Sequence, residues 1–442
     1  MGNEILLSLM LITLVIGLLG GYPLGFVMGG VGFIFGFIEW GPRVFMMGSL
    51  RIFSVMNNSV LMAIPLFILM ANFMSNSGIS DRLFGTAPYL FGKTRGGLGI
   101  TVILISTLLA ACTGIIGASV TSMGLTALPV LRRYKYNKEL SLGLICAGGS
   151  LGILIPPSIM LVIMAAYTTL SVGQLFAAAF LPGFLLSSLY MVYIFGISYL
   201  RPEYGPALSN EELGKVNRAK VVGLFFINML PTLAIIFGVL GSILMGIATA
   251  TEAAAVGVLL TFFLVLVYKE FSWNNLRKII SSTATTSCMV LTIIAGAAVF
   301  TSTFFGLGGR QMVTELVLGM ELSRYGLLGL VIVIVFLLGF IMDYTQIIPL
   351  VFPIFLPMLI GFDFDLLWIV ILIAVTLQTC FLTPPVGPAL NYLKGVAPKD
   401  VSMADICRGI VPFTVIILIG VFICILFPEI VLWLPKITIG YK

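Results

Sequence analysis

Two adjacent prolines occur twice in this sequence, each time inside an apolar stretch long enough to cross a bilayer. The pairs are Pro156-Pro157 and Pro384-Pro385, which lie 228 residues apart. Proline lacks the N–H that a helix interior needs, so each pair leaves two carbonyls, four residues earlier, without helical partners. Na⁺ is a hard cation that prefers oxygen ligands, and carbonyls at helix ends carry partial negative charge. The two breaks therefore predict two related sodium sites.

We expect each sodium site to combine carbonyls of one break with the tip of a facing hairpin. The carbonyls freed by the prolines are the first expected ligands, and carbonyls of the next helical turns are the other expected ligands. The predicted sodium ligands are Ser119, Gly152, Ile155, Ser158, Gly339, Cys380, Thr383 and Val386. The alternative is that both proline pairs are only kinks, with water bonded to the carbonyls.

Polar side chains that cluster around the breaks and the hairpin tips are the candidates for binding a substrate. Singly, each is more often an interhelical hydrogen bond than a ligand, so the clustering carries the prediction. No Lys or Arg lies in a tip or in a broken-helix core, so an anion would be held by hydroxyls and helix N-termini. The predicted substrate ligands are Thr121, Ser122, Ser150, Asp343, Gln346, Gln378, Thr379 and Asn391.

Only two acidic residues fall inside the predicted spans. A carboxylate within a membrane is a functional candidate by default. Asp343 lies in a predicted hairpin tip, where it either shapes the site or caps a half-helix. Glu252 stands at a helix start, where capping of the helix dipole is the favoured interpretation.

Composition sets the class of protein that surrounds these residues. The 442 residues are 60% hydrophobic and 9% charged, whereas soluble domains carry about 25% charged residues. Recurrent apolar runs of helix-spanning length predict an all-α polytopic membrane protein in a lipid bilayer. The absence of histidine argues against haem, His-ligated metal and His proton relays. Basic residues fall in short loops, so we expect no nucleic acid partner.

The order of apolar and polar segments predicts two repeats. We expect an N-terminal helix over 1–21, a first repeat over 22–200, a linker and connecting helix over 201–250, a second repeat over 251–428 and a tail over 429–442. The first repeat would hold a hairpin over 96–130 and a broken helix over 140–170. The second would hold a hairpin over 326–360 and a broken helix over 366–395.

The distribution of basic residues predicts the orientation. With the N-terminus outside, the cytoplasmic loops hold 17 of the 23 Lys and Arg, which is a clear positive-inside bias. These loops are 78–97, 131–139, 201–220, 269–278 and 394–408. From the number of membrane crossings, we expect the first hairpin to open to the cytoplasm and the second to open to the outside. The repeats are therefore predicted to be inverted, with the binding sites between them near the midplane.

Several motifs together resemble the large, DctM-like membrane subunit of tripartite ATP-independent periplasmic (TRAP) transporters. The resemblance covers nearly the whole chain. The motifs are the hairpin from Thr113 to Leu128, Gly152 to Ser158 (GILIPPS), Leu377 to Pro385 (LQTCFLTPP), Thr251 to Gly257 (TEAAAVG) and Ile64 to Leu69 (IPLFIL).

This resemblance implies an inner-membrane elevator, with a scaffold and a mobile transport domain that holds both hairpins and both broken helices. It further implies sodium coupling, a small four-helix membrane subunit and a periplasmic substrate-binding protein. The expected function is sodium-coupled uptake of a small organic acid. One departure is the first tip, Gly117 to Met123, which lacks the acidic residue that many members carry.

Three other functions are less well supported by the sequence. A sodium–dicarboxylate symporter of the same wider superfamily would act without a binding protein. A membrane-embedded enzyme lacks support, because no nucleophile stands beside a base and no paired carboxylates lie in the spans. A channel fits less well, because inverted hairpins around a midplane site suit alternating access.

Overall fold

The computed structural model describes residues 3–208 and 218–441, which form α-helices and short 3-10 turns without a strand. The chain has an all-α polytopic fold. In the first part the helices are α1 (Asn3–Leu19), α2 (Leu24–Trp40), α3 (Arg43–Met56), α4 (Ala63–Ser75), α5 (Ile79–Leu90), α6 (Gly97–Thr113), α7 (Ile116–Arg133), α8 (Lys138–Ser150), α9 (Ile159–Ala166) and α10 (Val172–Leu200).

The second part of the chain follows the same order of elements. Its helices are α11 (Arg218–Leu244), α12 (Ala250–Val267), α13 (Trp273–Gly306), α14 (Gly309–Gly319), α15 (Arg324–Leu338), α16 (Tyr344–Gly361), α17 (Leu366–Leu377), α18 (Pro388–Val396), α19 (Met403–Leu426) and α20 (Glu429–Thr438). Ile116 and Tyr344, which begin the second arms of the two hairpins, are 228 residues apart, as are the proline pairs. Each half thus carries a hairpin, α6–α7 or α15–α16, followed by a broken helix, α8–α9 or α17–α18.

Six of the described helices are long and apolar enough to cross a membrane, or up to seven if the bent pair Arg43–Met56 and Ser59–Ser75 is one span. These two segments meet at 56°. Asn58 fixes the bend, because its side chain accepts a hydrogen bond from Val60 N at 3.0 Å. One hairpin arm, α16, is among these six helices, whereas the arms α6 and α15 and the halves of the broken helices are shorter.

Three segments near the ends of the apolar runs are helical. The stretch between Trp40 and Asn58 contains helix α3. The segment 273–278 is the first turn of the 34-residue α13, because no proline interrupts the chain before Gly306. The tail 429–442 contains α20, which packs against α10 through the buried Val431. Of the predicted linker, residues 209–217 lie outside the described residues.

Glycines on one face of α2 bring this helix against the backbone of α13. A Cβ on Gly25 would lie 2.7 Å from the carbonyl oxygen of Thr292, and one on Gly32 would lie 3.0 Å from Phe300 Cα. Close backbone approach through small residues is the usual way in which membrane helices associate, since lipid supplies no hydrophobic drive between them. This contact ties a helix of the first half to a helix of the second half.

Gly32→Val is expected to destabilise the protein, because the new side chain meets backbone atoms of α13 that cannot turn aside. Overpacking of this kind costs about 1–3 kcal/mol. Thermal unfolding of the detergent-solubilised chain measures the effect. Gly30→Val is the matched control, because a Cβ on Gly30 meets nothing within 4 Å; equal losses in both variants would contradict the packing argument.

Ion pairs at one end of the molecule join the first hairpin and the first broken helix to the segment that follows α18. Arg132, near the end of α7, donates two hydrogen bonds to the Asp400 carboxylate at 2.8 and 3.1 Å. The Arg132 guanidinium holds the pKa of that carboxyl below its usual range. Lys138 Nζ, at the start of α8, lies 2.6 Å from the Asp405 carboxylate. Because α18 also packs against α7 and α8, these elements form one body.

Candidate functional site

In the first helix break, a turn leaves one backbone carbonyl without its hydrogen-bond donors. After α8 a short 3-10 segment, Leu151–Ile153, leads into the prolines. The N–H groups of Leu154 and Ile155 both bond to the Leu151 carbonyl, at 3.0 and 2.9 Å. The remaining candidate donor to the Gly152 carbonyl is residue 156, a proline without N–H. The Gly152 carbonyl is therefore left open to another partner.

The second break repeats this turn. After α17 a 3-10 segment, Gln378–Phe381, precedes the second proline pair. Leu382 N and Thr383 N both bond to the Thr379 carbonyl at 3.0 Å. The Cys380 carbonyl is left open for the same reason as that of Gly152. Both proline pairs are joined by cis peptide bonds.

The tip of the first hairpin lies directly on the first break. Gly114 turns the chain between α6 and α7 with φ +56, and a Cβ there would lie 3.1 Å from the Pro157 carbonyl oxygen. The Thr113 hydroxyl is 3.3 Å from where a Cβ on Gly152 would stand. Ser119 shares a 2.6 Å hydrogen bond with this Thr113 hydroxyl. Hydroxyl oxygens of the tip therefore lie beside the open carbonyl of the break.

The tip of the second hairpin lies on the second break in the same way. A Cβ on Gly339 would collide with Cys380 Sγ and would lie 3.2 Å from Cys380 Cα. The rings of Tyr344 and Phe381 meet edge to face with centroids 5.6 Å apart. The predicted pairing of the Gly339 region with Cys380 is thus present as direct contact.

The two halves meet at Tyr392, on α18. A Cβ on Gly117, in the first turn of α7, would lie 3.0 Å from Tyr392 Cζ. Asp343, at the second tip, interacts electrostatically with both Tyr392 and Cys380. Sequence reasoning missed Tyr392, because nothing in its neighbourhood distinguishes it from other half-exposed tyrosines.

Asp343 and Gln346 form a capping box at the start of α16. The Asp343 carboxylate accepts a hydrogen bond from Tyr344 N at 2.7 Å, and Gln346 Oε1 accepts one from Asp343 N at 3.1 Å. Thr249 and the exposed Glu252 form the same box at the start of α12. The capping interpretation of Glu252 is confirmed. Asp343 is a cap as well, and its role toward a ligand stays a prediction.

Protein donors already bond to three of the predicted ligand carbonyls, and because a carbonyl oxygen has two lone pairs, their role toward sodium stays a prediction. The Ser158 carbonyl accepts a bond from Val162 N at 3.2 Å, that of Thr383 from Gly387 N at 3.0 Å, and that of Val386 from Asn391 Nδ2 at 3.0 Å. The Ser158 hydroxyl donates to the Ile153 carbonyl, so one of the carbonyls freed by proline is satisfied internally. Gly152, Cys380 and Phe381 are the remaining residues whose carbonyls lost a helical donor to proline.

The positions of several predicted substrate ligands also differ from expectation. The turn of the first hairpin is Gly114-Ile115, so Thr121 and Ser122 lie within α7 and not at its tip. The hydroxyls of Ser150 and Thr379 bond to carbonyls of their own helices, at 2.8 and 2.7 Å. A patch of glycine and serine residues indicates a weak helix, but it does not show at which residue the helix ends.

Residues 11–430 match the protein family described as the tripartite ATP-independent periplasmic transporter, DctM component. The chain belongs to the DctM family.

Named relatives agree with this assignment. The chain is 31% identical to the C4-dicarboxylate TRAP transporter large permease DctM of Pseudomonas aeruginosa, over 88% of this chain and 89% of that protein. It is 28% identical to the sialic acid large permease SiaM of Vibrio cholerae, over 87% and 88%. It is 25% identical to the 2,3-diketo-L-gulonate large permease YiaN of Escherichia coli, over 84% and 85%. This DctM-family chain is a multi-pass transport permease and not an enzyme.

A solved structure shares the fold at low sequence identity. The YdaH transporter of Alcanivorax borkumensis aligns with a TM-score of 0.61 and 14% identity, over 91% of this chain and 90% of that one. The arrangement of helices is therefore a known transporter fold.

Gln378 is the side chain of this DctM-family permease that most clearly lacks a partner. It is 0% exposed, and neither its Nε2 nor its Oε1 has a hydrogen-bond partner within the described ranges. A buried amide without partners is costly. Gln378 begins the 3-10 turn of the second break, directly before Thr379 and Cys380.

The two breaks of the DctM-family chain differ in exposure. Pro156 and Pro157 are buried, whereas Pro384, Pro385 and Val386 are exposed. No three His, Cys, Asp or Glu side chains of the described parts of the chain come together as a metal site. Carbonyl and hydroxyl oxygens and, at the second tip, the Asp343 carboxylate are the groups that the tips and breaks offer to a cation.

Proposed function

We propose that this permease takes up a small organic carboxylate together with Na⁺. It would work with a small four-helix membrane subunit and a periplasmic binding protein that delivers the anion. We place it in the bacterial inner membrane with a periplasmic N-terminus, as the bias of Lys and Arg favours.

The observation that carries the proposal is the contact of each hairpin tip with its own helix break. In both halves the same turn leaves one carbonyl, of Gly152 or Cys380, without its helical donors. A tip lies against each of them, with Thr113 and Ser119 in one half and Gly339 in the other. Paired broken helices in matching halves are typical of ion and substrate sites in secondary transporters.

The proposed substrate lies between the tips, near Tyr392 and the amide of Gln378. The compounds named for the relatives, a C4-dicarboxylate, sialic acid and 2,3-diketo-L-gulonate, share a carboxylate group. No cation lies at the tips, so N–H groups at the starts of α7 and α16 and the bound Na⁺ would balance the charge. This favours an anion that enters only with sodium.

We further propose alternating access by an elevator movement. The hairpins and broken helices, tied by Arg132 to Asp400 and by Lys138 to Asp405, would move as one body. Helices α2, α3, α4, α12 and α13, which pack on one another, would form the scaffold. The different exposure of the two breaks supports a state that is open on one side only.

The test is uptake into proteoliposomes that contain the chain and both partner subunits. With an inward sodium gradient, radiolabelled succinate, sialic acid and 2,3-diketo-L-gulonate are offered in turn with the binding protein. We expect uptake of one of them to rise with sodium concentration with a Hill coefficient above one. Sodium-independent uptake would overturn the coupling, and strong uptake by the chain alone would favour the stand-alone symporter.

Asp343→Asn is expected to impair uptake more than folding. Asparagine is also a good N-cap, so α16 keeps its start, whereas the negative charge beside Tyr392 and Cys380 is lost. We expect at least about a tenfold fall in sodium-driven uptake, the size typical of the loss of one well-placed charge. Thermal stability in detergent is the control, and unchanged uptake would limit Asp343 to capping.

A further inference from the structure

A polar cavity is lined by residues outside the hairpin tips. Its volume is about 280 Å³, and it opens between α3, α13, the end of α9 and the middle of α16. The polar part of its wall is formed by Arg51, Ser54, Asn58, Tyr167, Thr301 and Ser302. Apolar side chains complete the wall, so the cavity has both a charged and a hydrophobic side.

Arg51 gives this cavity a positive charge that is not neutralised by a neighbour. Its Nε donates a 3.1 Å hydrogen bond to Ser302 Oγ, which fixes the guanidinium against α13. Among the ion pairs formed within 3–208 and 218–441, none involves Arg51, and the cavity wall contains no carboxylate. Arginine has five N–H donors in a fork that matches a carboxylate.

The other polar groups suit the same ligand. The Thr301 hydroxyl donates to the Pro349 carbonyl at 3.3 Å, so its oxygen is held in place in the cavity wall. The side-chain oxygen Oδ1 of Asn58 accepts a hydrogen bond from Val60 N, which leaves the side-chain NH₂ group as a donor. Val55, Leu61, Phe305 and Pro353 offer apolar contact for a short carbon chain.

The size of the cavity indicates a small molecule. Ligand pockets of proteins are about 300–1,000 Å³, so this one is near the lower limit and fits an acid of a few carbons. The body of a two-chain phospholipid is too large for it.

The walls of the cavity belong to both parts of the proposed elevator. Arg51 and Ser302 lie on the scaffold helices α3 and α13, whereas Tyr167 follows α9 and Pro353 lies in α16. In the proposed orientation these ends of α3 and α13 face the periplasm, where the binding protein releases its anion.

We propose that this cavity is an anion-binding vestibule, in which Arg51 holds a carboxylate of the organic acid before the acid reaches the hairpin tips. The inference rests on the proposed function for its direction of transport. This role explains why the cationic side chain of Arg51 lies on the scaffold, although the hairpin tips carry no cationic side chain. Because Arg51 would stay behind when the transport domain moves, it attracts the anion without travelling with it.

The test measures the local preference for anions by the modification rate of a thiol. Ser302→Cys is introduced together with Cys288→Ser, which removes the exposed native thiol. The purified chain in detergent, without sodium, is treated with a methanethiosulfonate that carries either a sulfonate or a trimethylammonium group. A positive charge a few ångströms away favours the first reagent and disfavours the second. We therefore expect Arg51→Gln to lower the ratio of the two rates at least about tenfold.

Arg43→Gln is the matched control, because Arg43 begins the same helix but lies outside the cavity wall; it should leave the ratio unchanged. The parent without Ser302→Cys corrects for labelling of the native cysteines. Succinate should slow the labelling by the neutral reagent methyl methanethiosulfonate, and succinamide, which carries no charge, should not.

Two outcomes would overturn the inference. The first is that the ratio of the two labelling rates is the same with and without Arg51→Gln, when the Arg51→Gln variant keeps its thermal stability. The second is protection by phosphatidylglycerol but not by succinate, sialic acid or 2,3-diketo-L-gulonate, which would assign the cavity to a lipid phosphate. Because labelling needs neither sodium nor transport, its failure is distinguishable from a failure of sodium-coupled uptake.

Discussion

Gly339→Ala is expected to reduce sodium-driven uptake at least about tenfold, since small displacements in a site are amplified in its rate. Gly339 has φ −60 and ψ −18, which alanine adopts without strain. The loss would therefore come from the new Cβ, which collides with Cys380 Sγ and moves the second tip away from the second break. Uptake by the complete complex, corrected for expression, measures the effect.

A second substitution shows whether this collision is the cause. Cys380→Ala removes the sulfur and keeps the backbone carbonyl that we assign to the cation. The double variant Gly339→Ala/Cys380→Ala should recover much of the uptake, because the coupling between two contacting sites appears as non-additivity. Gly329→Ala is the control in the same helix, since a Cβ there meets nothing within 4 Å. Full activity of Gly339→Ala alone, or no recovery in the double variant, would contradict the tip–break contact.

The helix breaks were predictable from sequence because their cause is local. A proline removes a donor wherever it stands in a helix, so Gly152 and Cys380 could be named without any fold. The existence of both hairpins was predictable too, since their apolar arms are interrupted by small or polar residues. The capping role of Glu252 follows from its place three residues after Thr249.

The partners of these groups could not be predicted, because they depend on packing between distant segments. The contact of Gly117 with Tyr392 joins residues 275 positions apart, and neither residue has a distinctive neighbourhood. The donors to the carbonyls of Thr383 and Val386, by contrast, are local, since Gly387 and Asn391 lie four and five residues further along the chain. The polarity of Thr121 and Ser122 suggests irregular backbone at the tip, whereas the helix continues through both residues.

Gln346 and Gln378 show why burial alone does not identify a ligand. Both belong to the second half and both are almost completely buried, at 1% and 0% exposure. Gln346 has a structural task, since its Oε1 accepts the Asp343 N–H. Gln378 has no partner for either amide atom among the described residues. An unpaired buried amide destabilises the protein, so its presence is best explained by a ligand that binds it during transport.

Gln378→Leu is accordingly expected to raise the stability of the permease while it lowers its uptake. Replacing an unpaired buried amide with an apolar side chain of similar size removes a desolvation penalty of about 1–3 kcal/mol. The same change removes the group that would hold the substrate or its water, so uptake should fall at least about tenfold. Thermal unfolding in detergent and sodium-driven uptake are measured on the same preparation.

The matched control, Gln346→Leu, should lower both stability and uptake, because it breaks the capping box and leaves the Asp343 N–H without its acceptor. Opposite signs of the stability change at two buried glutamines would separate a side chain kept for structure from one kept for transport, as expected where activity and stability conflict. If Gln378→Leu instead destabilises the protein, an ordered water already satisfies the amide. If it is stable and transports normally, Gln378 takes no part in binding and the substrate lies elsewhere between the tips.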